Sequence, residues 1–264
     1  MNSRTDWADL PAPVRAQAVA EVGPVVDWEP VGSGLNCRLA VHLYTEDGSC
    51  RFVKGVPEDD AHGVAGQGRE VAVSRVAAGV VAPVLWSRLC GGWDLLVFQC
   101  VGDQHVDLTA GSRDVDLVAE TLHRAQGLKA TGLAVPRLAE RFEGFLDEDG
   151  LRLLDGEALL HTDTNPHNMI PYLSQVYLVD WAMAASGPAW VDVAYTAVRL
   201  MEAGWPAAGA LEWAAGFRSW READPRAVAA FVSASCRQWE AMVGPVDCRP
   251  SNRRFEALLT AVHA

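Results

Sequence analysis

The chain has 264 residues, half of them apolar and 21% charged, enough to bury a sizeable core as one large domain or two smaller lobes. Its formal charge of −12 leaves no basic footprint for a polyanion, so no nucleic acid partner is expected. The longest nearly apolar run, "VAAGVVAPVLW", falls well short of the roughly 20 residues a membrane span needs, and the charged N-terminus has no secretory apolar core; no membrane association and a cytoplasmic location are the expectations.

Residues 11–22 predict a short helix, opened near Pro11 or Pro13 and stopped at Gly23-Pro24. Strand patterns follow. "VVDWEP" leads into "VGSGLN"; in "CRLAVHLY" Leu39, Val41 and Leu43 alternate with Arg38, Ala40 and His42. "TEDGS" is a turn centred on Asp-Gly, and "CRFVK" is the returning strand. "GQGREVAVSRVAAG" changes to helical spacing, with Glu70, Val73 and Ala77 on one face. "PVLWSRL" and "WDLLVFQCV", separated by "CGG", give a further hairpin. The six cysteines (Cys37, Cys50, Cys90, Cys100, Cys236, Cys248) show no C-x-x-C pair and no short zinc spacing, and read as small apolar residues in a reducing compartment.

After residue 103 the pattern is mostly helical, with "SRDVDLVAETLHRAQGL" and "PRLAERFEGFL" as amphipathic candidates and about four helical segments beyond residue 190. The exception is "NMIPY", "LSQ" and "VYLVD", which predict two short strands around a tight turn. An α+β protein follows: a β-rich N-terminal lobe (1–102) and a larger helical lobe (103–264), joined near "QCVGD".

The densest polar stretch is "HTDTNPHNMI", from His161. His161, Asp163 and His167 are zinc-type donors, yet they lack the i, i+4 spacing of a helical pair, and Pro166 interrupts a helix. A calcium loop fails on the missing Gly at its sixth position and on Ser174 at its twelfth. Asx turns and caps would explain an isolated polar loop. They do not explain why Asp163 is followed by Asn168 five residues later and, beyond a hairpin, by Asp180. Phosphoryl transfer does: it needs a carboxylate beside the acceptor hydroxyl and oxygen ligands for a metal on the nucleotide phosphates.

"HTDTNPHNMI…VYLVDW" resembles the catalytic loop and metal-binding segment of the aminoglycoside phosphotransferase-like small-molecule kinases, which have H-x-D-x-x-x-x-N followed by a strand ending in D-F or D-W. The resemblance implies a protein-kinase-like two-lobed fold, ATP or GTP and Mg²⁺ as cofactors, and a small-molecule hydroxyl acceptor. That acceptor is an aminoglycoside or other hydroxylated natural product, or else a metabolite alcohol or peptide Ser/Thr. In these terms Asp163 is the base and Asn168 and Asp180 are the metal ligands. His161 braces the loop, and His167 is loop surface or acceptor lining. The β-rich lobe should then supply a phosphate-covering loop, and Gly32, Ser33 and Gly34 in "VGSGLNC" fit one, although glycines are common at any hairpin turn. Lys54, one of few lysines, ends "CRFVK"; taken alone it would be a surface residue, and Glu70, sixteen residues on, a solvated helix position. Together they resemble the family's Lys–Glu pair on the phosphates. Gln99, Cys100 and Val101 fall at the hinge, where backbone groups would meet the base edge, with Val53 or Val97 among its apolar neighbours.

Two positions depart from the family pattern. Thr162 stands where Gly is most common, and Ala182 follows Asp180-Trp181 where an acidic residue is frequent. Only twelve residues separate Asp180 from Asp192 and no A-P-E follows, so a regulated protein-kinase activation segment has no room. Asp192 is expected to cap the next helix or to brace the catalytic loop. Trp205, Trp213, Trp220 and Trp239 fall in the acceptor half, where one of them could stack on an acceptor; "PEDD" and "LDEDG" would suit a cationic acceptor or be plain surface. Readings of another class are a nucleotide-binding regulatory protein without catalysis and a zinc hydrolase built on His161, Asp163 and His167. A monomer or a homodimer is equally compatible with the sequence.

Overall fold

The computed structural model describes residues 4–32 and 37–261. They form two compact units: one runs through Asp103 and also takes in Tyr177–Met183, and the other comprises Gln104–Val176 and the chain from Ala184 onward.

The first unit begins with helix α1 (Ala12–Val22), with Pro11 at its N-cap, Pro13 in its first turn, and Gly23 (φ 96°) ending it. Strands β1 (Val25–Pro30), β2 (Leu39–Thr45), β3 (Cys50–Pro57), β4 (Val84–Cys90) and β5 (Trp93–Gln99) make one antiparallel sheet in the order β1-β2-β3-β5-β4. Period-two alternation divides its side chains between two faces. Leu39, Val41, Leu43, Val53, Leu95 and Val97 pack beneath α1 with Trp7, Leu10, Val14, Ala18 and Val22 as one buried core. The other face carries cross-strand rows: Ala40, Lys54 and Leu96, then His42, Phe52 and Phe98. Ring centroids 5.4 Å apart for His42–Phe52 and 6.0 Å for Phe52–Phe98 confirm that the second row shares a face.

Helix α2 (Ala61–Ser74) starts earlier and ends earlier than its apolar periodicity suggests, leaving Ala77 outside the helix. Its start is set by Asp60, whose carboxylate accepts the Gly63 N–H at 2.9 Å. Gly63, Gly66 and Gly68 dilute the apolar pattern over those first turns, which is why the spacing signal appears late. Asp60 of "PEDD" is thus a helix cap, as is Asp147 of "LDEDG", which accepts the Gly150 N–H at 2.8 Å.

In the second unit, α3 (Asp114–Ala125) follows its amphipathic pattern. The segment "PRLAERFEGFL" does not form the full helix expected: α4 (Leu138–Arg141) is a single turn, followed by Gly144 in a left-handed conformation (φ 86°). Next come α5 (Glu148–Arg152), the short strand β6 (Ala158–Leu160), and the expected hairpin β7 (Met169–Tyr172) and β8 (Gln175–Leu178), which turns through Leu173 at φ 58°. Strand β9 (Ala185–Gly187) pairs antiparallel with β6. Five helices close the unit, one more than the pattern suggests: α6 (Val191–Glu202), α7 (Ala207–Ala215), α8 (Arg218–Arg221), α9 (Pro225–Val243) and α10 (Arg249–Ala257). Their core centres on Phe231, with ring centroids 5.1 Å from Tyr195, 5.4 Å from Trp190 and 6.0 Å from Phe255. Among the described residues no helix is long and apolar enough to cross a membrane.

Candidate active site

The first unit brings three predicted residues together. Lys54 Nζ lies 2.9 Å from Glu70 Oε1 and 2.8 Å from Asp180 Oδ1. Each comes from a different element: Lys54 from mid-β3, Glu70 from the buried face of α2, and Asp180 from the segment after β8. That segment is held by backbone and side-chain bonds. Leu178 N–H donates to Val80 O (2.8 Å), Trp181 is fully buried with Nε1 donating to Leu178 O (2.9 Å), and Arg69 Nε donates to Ala182 O (2.7 Å). Asp180 itself adopts φ 62°, a left-handed conformation that Asp tolerates better than most residues.

Electrostatics follow from burial. Desolvation alone would strip the Lys54 proton, but the Glu70 and Asp180 carboxylates outweigh it and hold the ammonium charged, above the usual lysine range. Burial pushes the Glu70 carboxyl up, against the pull of Lys54. Cys37, at the mouth of β2, has its thiol raised by burial, with Lys54 opposing. These side chains line a small open pocket with His62, Gln67 and Arg69.

Of the proposed phosphate-covering loop, Gly32 has open space where a Cβ would stand, while Ser33 and Gly34 lie outside the described residues. At the hinge, Gln99 is exposed, Cys100 half-buried and Val101 buried, and the Gln99 N–H is already taken by Pro83 O at 2.9 Å. Val53 and Val97 do not face the Lys54 side, as was expected of base neighbours. Each is one residue out of phase with it and buried under α1.

The second unit holds the other predicted pair. Asn168 Nδ2 donates to Asp163 Oδ2 at 2.9 Å and to Asp163 O at 3.0 Å, so the Asn168 amide oxygen points the opposite way. Asp163 N–H is directed at His161 Nδ1 (3.3 Å), and His161 is fully buried. His167 is exposed, with its ring edge against His105 at 5.0 Å. Among the described residues no three His, Cys, Asp or Glu side chains gather to hold a metal.

Asp192 does not cap α6; the N-cap position is Trp190, with no side-chain bond there. Its buried carboxylate instead accepts the His161 N–H (2.7 Å) and the Thr162 N–H (2.8 Å), fixing the loop from beneath. Burial raises this carboxyl, while His161 and the two amide bonds pull it back down. Thr162 adopts φ 66°, a conformation natural to the Gly usual at this position, and its N–H is held there by Asp192. Thr196 Oγ1 lies 2.7 Å from Asp192 O and 2.9 Å from Thr164 Oγ1, extending the brace.

Arg199, whose Nη2 stands 3.9 Å from Asp163 Oδ1, has no signal in the sequence: it is one Arg on a helical face, 36 residues from the carboxylate it approaches. The tryptophans sort by partner. Trp220 is core against Trp190, Trp205 Nε1 donates to Leu108 O at 2.8 Å, Trp213 packs on Phe217, and Trp239 is 38% exposed.

Residues 103–231 match the family described as APH: phosphotransferase enzyme family. No curated protein sequence matches the chain. Solved structures that share its fold include the following three. Aminoglycoside phosphotransferase APH(4)-Ia, in a thermostable mutant form, has TM-score 0.61 at 14% identity, covering 92% of this chain and 97% of its own. Choline kinase LicA from Streptococcus pneumoniae has TM-score 0.61 at 11% identity, covering 95% and 98%. Amicoumacin kinase hAmiN, in complex with AMP-PNP, Ca²⁺ and Ami, has TM-score 0.59 at 13% identity, covering 94% and 92%. With an antiparallel five-stranded sheet carrying one helix and a larger helical unit, the chain has the α+β, protein-kinase-like fold of these structures, and its residues 103–231 are similar to the phosphotransferase enzyme family.

Proposed function

We propose that this protein transfers the γ-phosphoryl group of ATP or GTP to a hydroxyl of an aminoglycoside or another hydroxylated natural product. The observation that carries the reading is the buried Lys54, charged and fixed by Glu70 and Asp180 on the face of the sheet opposite α1. An ammonium oriented in this way suits the α- and β-phosphates, because positioning and charge neutralisation supply most of phosphoryl-transfer catalysis.

Asp163 accepts or orients the acceptor's hydroxyl proton, with its carboxylate aligned by Asn168. Asn168 and Asp180 offer oxygen donors only, an amide oxygen turned away from Asp163 and a carboxylate, and such donors fit a hard divalent cation such as Mg²⁺. Such an ion would supply charge neutralisation for the nucleotide phosphates. Gly32, Ser33 and Gly34 would cover those phosphates, and the backbone of Cys100 and Val101 would meet the base edge, since Gln99 N–H is committed to Pro83. The net charge of −12 is compatible with a cationic acceptor and serves solubility in any case.

The test is mass spectrometry of acceptor mixtures incubated with ATP or GTP and Mg²⁺, reading a phosphate-mass gain, followed by Asp163→Ala on the verified acceptor. Loss of turnover by 10²- to 10⁴-fold, a rough range for a general base, is expected. Full turnover by Asp163→Ala would overturn the role assigned to it, and nucleotide binding with no phosphorylated product across the panel would favour a regulatory protein.

A further inference from the structure

The face of the sheet that carries Lys54 continues past Phe52 to a third row. Tyr44 pairs with Cys50 across β2 and β3, and the register Phe52↔Phe98, Arg51↔Gln99 sets Cys50 opposite Cys100 where β5 ends. Residues opposite one another in an antiparallel pair have Cα atoms about 4.5–5.5 Å apart, inside the span a disulfide bridges. The two side chains share this face, Cys50 two residues from Phe52 and Cys100 two from Phe98, and the two thiols are neighbours. Neither is sealed away: both are half-buried, so a small reagent reaches them. Cys37, Cys90, Cys236 and Cys248 are also free thiols. The phosphotransfer reading uses neither sulfur.

We propose that Cys50 and Cys100 form a dithiol modification site that closes to an intramolecular disulfide by exchange with low-molecular-weight disulfides. Burial first and Cys100 next push the Cys50 thiol up to about 12, so Cys100 is the sulfur that attacks first and Cys50 the one that resolves. The Cys100 thiolate attacks one sulfur of the small disulfide, the S–S bond breaks, and one small thiolate leaves with a mixed disulfide on Cys100. Cys50 then gives up its proton to solvent base and attacks the Cys100 sulfur. The second small thiolate departs and takes a proton. Two protein thiols are oxidised and one small disulfide is reduced to two thiols, so atoms and electrons balance.

The bridge would tie the start of β3 to the end of β5, on the same face as Lys54 and four residues from it along β3. It closes a loop of about 50 residues, long enough for a cross-link to raise stability measurably.

The test equilibrates the full chain with reduced and oxidised glutathione at graded ratios, quenches with an alkylating agent, and maps the cysteines by peptide mass spectrometry. The expected result is one linked pair, Cys50–Cys100, with the other four cysteines alkylated and a melting temperature several degrees above that of the reduced protein. In Cys50→Ala the reaction should stop at Cys100 carrying glutathione, and the melting temperature should no longer respond to the ratio. Two outcomes overturn the proposal: Cys50 and Cys100 both remaining alkylated at every ratio, or Cys50 linked to a different cysteine.

A further arm rests on the phosphotransferase reading and separates the two ideas. Saturating AMP-PNP should slow bridge formation several-fold if the nucleotide covers this face. A bridge that forms equally fast with and without it leaves the dithiol standing and overturns the placement of the nucleotide beside Lys54.

Discussion

Lys54 and Glu70 form an ion pair of 2.9 Å whose side chains are 9% and 4% exposed, so each depends on the other for compensation. Glu70→Gln keeps the shape but halves the counter-charge around the ammonium, leaving Asp180 alone. Expected is a stability loss of about 2–4 kcal/mol, within the range for truncating a buried charged hydrogen bond. A fall in kcat/KM of roughly 10²-fold should accompany it, because a freed Lys54 no longer holds one direction. Urea denaturation and steady-state kinetics on the same preparation read both. Unchanged values for both would mean that the pair neither stabilises nor orients.

The same pair gives the protein an alkaline limb. Lys54 has a folded value above the ordinary lysine value of 10.5, so the folded state binds the proton more tightly than the unfolded chain. Its contribution is therefore fully present below pH 10.5 and is lost as pH rises towards the higher folded value. Over that window the wild type should lose up to about 1.4 kcal/mol per pH unit from this one group. The double variant Lys54→Met/Glu70→Leu removes the titrating ammonium with its Glu70 partner and should flatten that part of the limb, at a stability cost at pH 7 because Asp180 loses its ammonium. Denaturant midpoints between pH 8 and pH 11.5 decide it; identical slopes in the two proteins would contradict the assignment.

Asp192 carries the loop that begins at His161 from below, through bonds of 2.7 and 2.8 Å to the His161 and Thr162 amides. In Asp192→Asn one of those two acceptors becomes an amide group facing an N–H, and a buried donor is left unpaired. The expected cost is about 1–3 kcal/mol, and kcat should fall while the nucleotide Kd holds, since the first unit is untouched. Asp192→Glu should fare no better, as its longer stem cannot sit at the same depth.

The architecture was legible because it is written in short-range patterns. The β2–β3 turn, the alternation of Leu39, Val41 and Leu43, and the hairpin after Asn168 are each readable from neighbouring residues. The spacing of Asp163 and Asn168 is legible for the same reason, because both sit on one tight loop joined by the bonds of Asn168. What escaped depends on long-range packing. Nothing local says that Val53 and Val97 are hidden under α1 rather than beside a base. Nothing local places Arg199 near Asp163, or decides between the cap and the brace expected of Asp192. The early start of α2 was masked by its glycines, and one of those glycines has a structural reason of its own.

That glycine is Gly66, and it accounts for the absence of an acidic residue at position 182. A Cβ built on Gly66 would stand 3.3 Å from the Ala182 Cβ, so helix and segment already touch with the smallest side chains available. Arg69, one helical turn on, fastens the same contact through Ala182 O at 2.7 Å. A carboxylate at 182 would need volume that Gly66 and Arg69 occupy, and would add a third negative charge beside Glu70 and Asp180, which share the single ammonium of Lys54. Ala182→Asp should therefore cost about 1–3 kcal/mol through overpacking, with the denaturant slope unchanged. Gly66→Ala pits a gain in helix propensity of roughly 1 kcal/mol against a contact that must yield by a few tenths of an ångström, and should come out near neutral. If Ala182→Asp proved neutral in the wild-type background, the close approach of α2 would not be what excludes the acid. If it were rescued by shortening Arg69 in Arg69→Ala, the crowding would lie with the guanidinium rather than with Gly66.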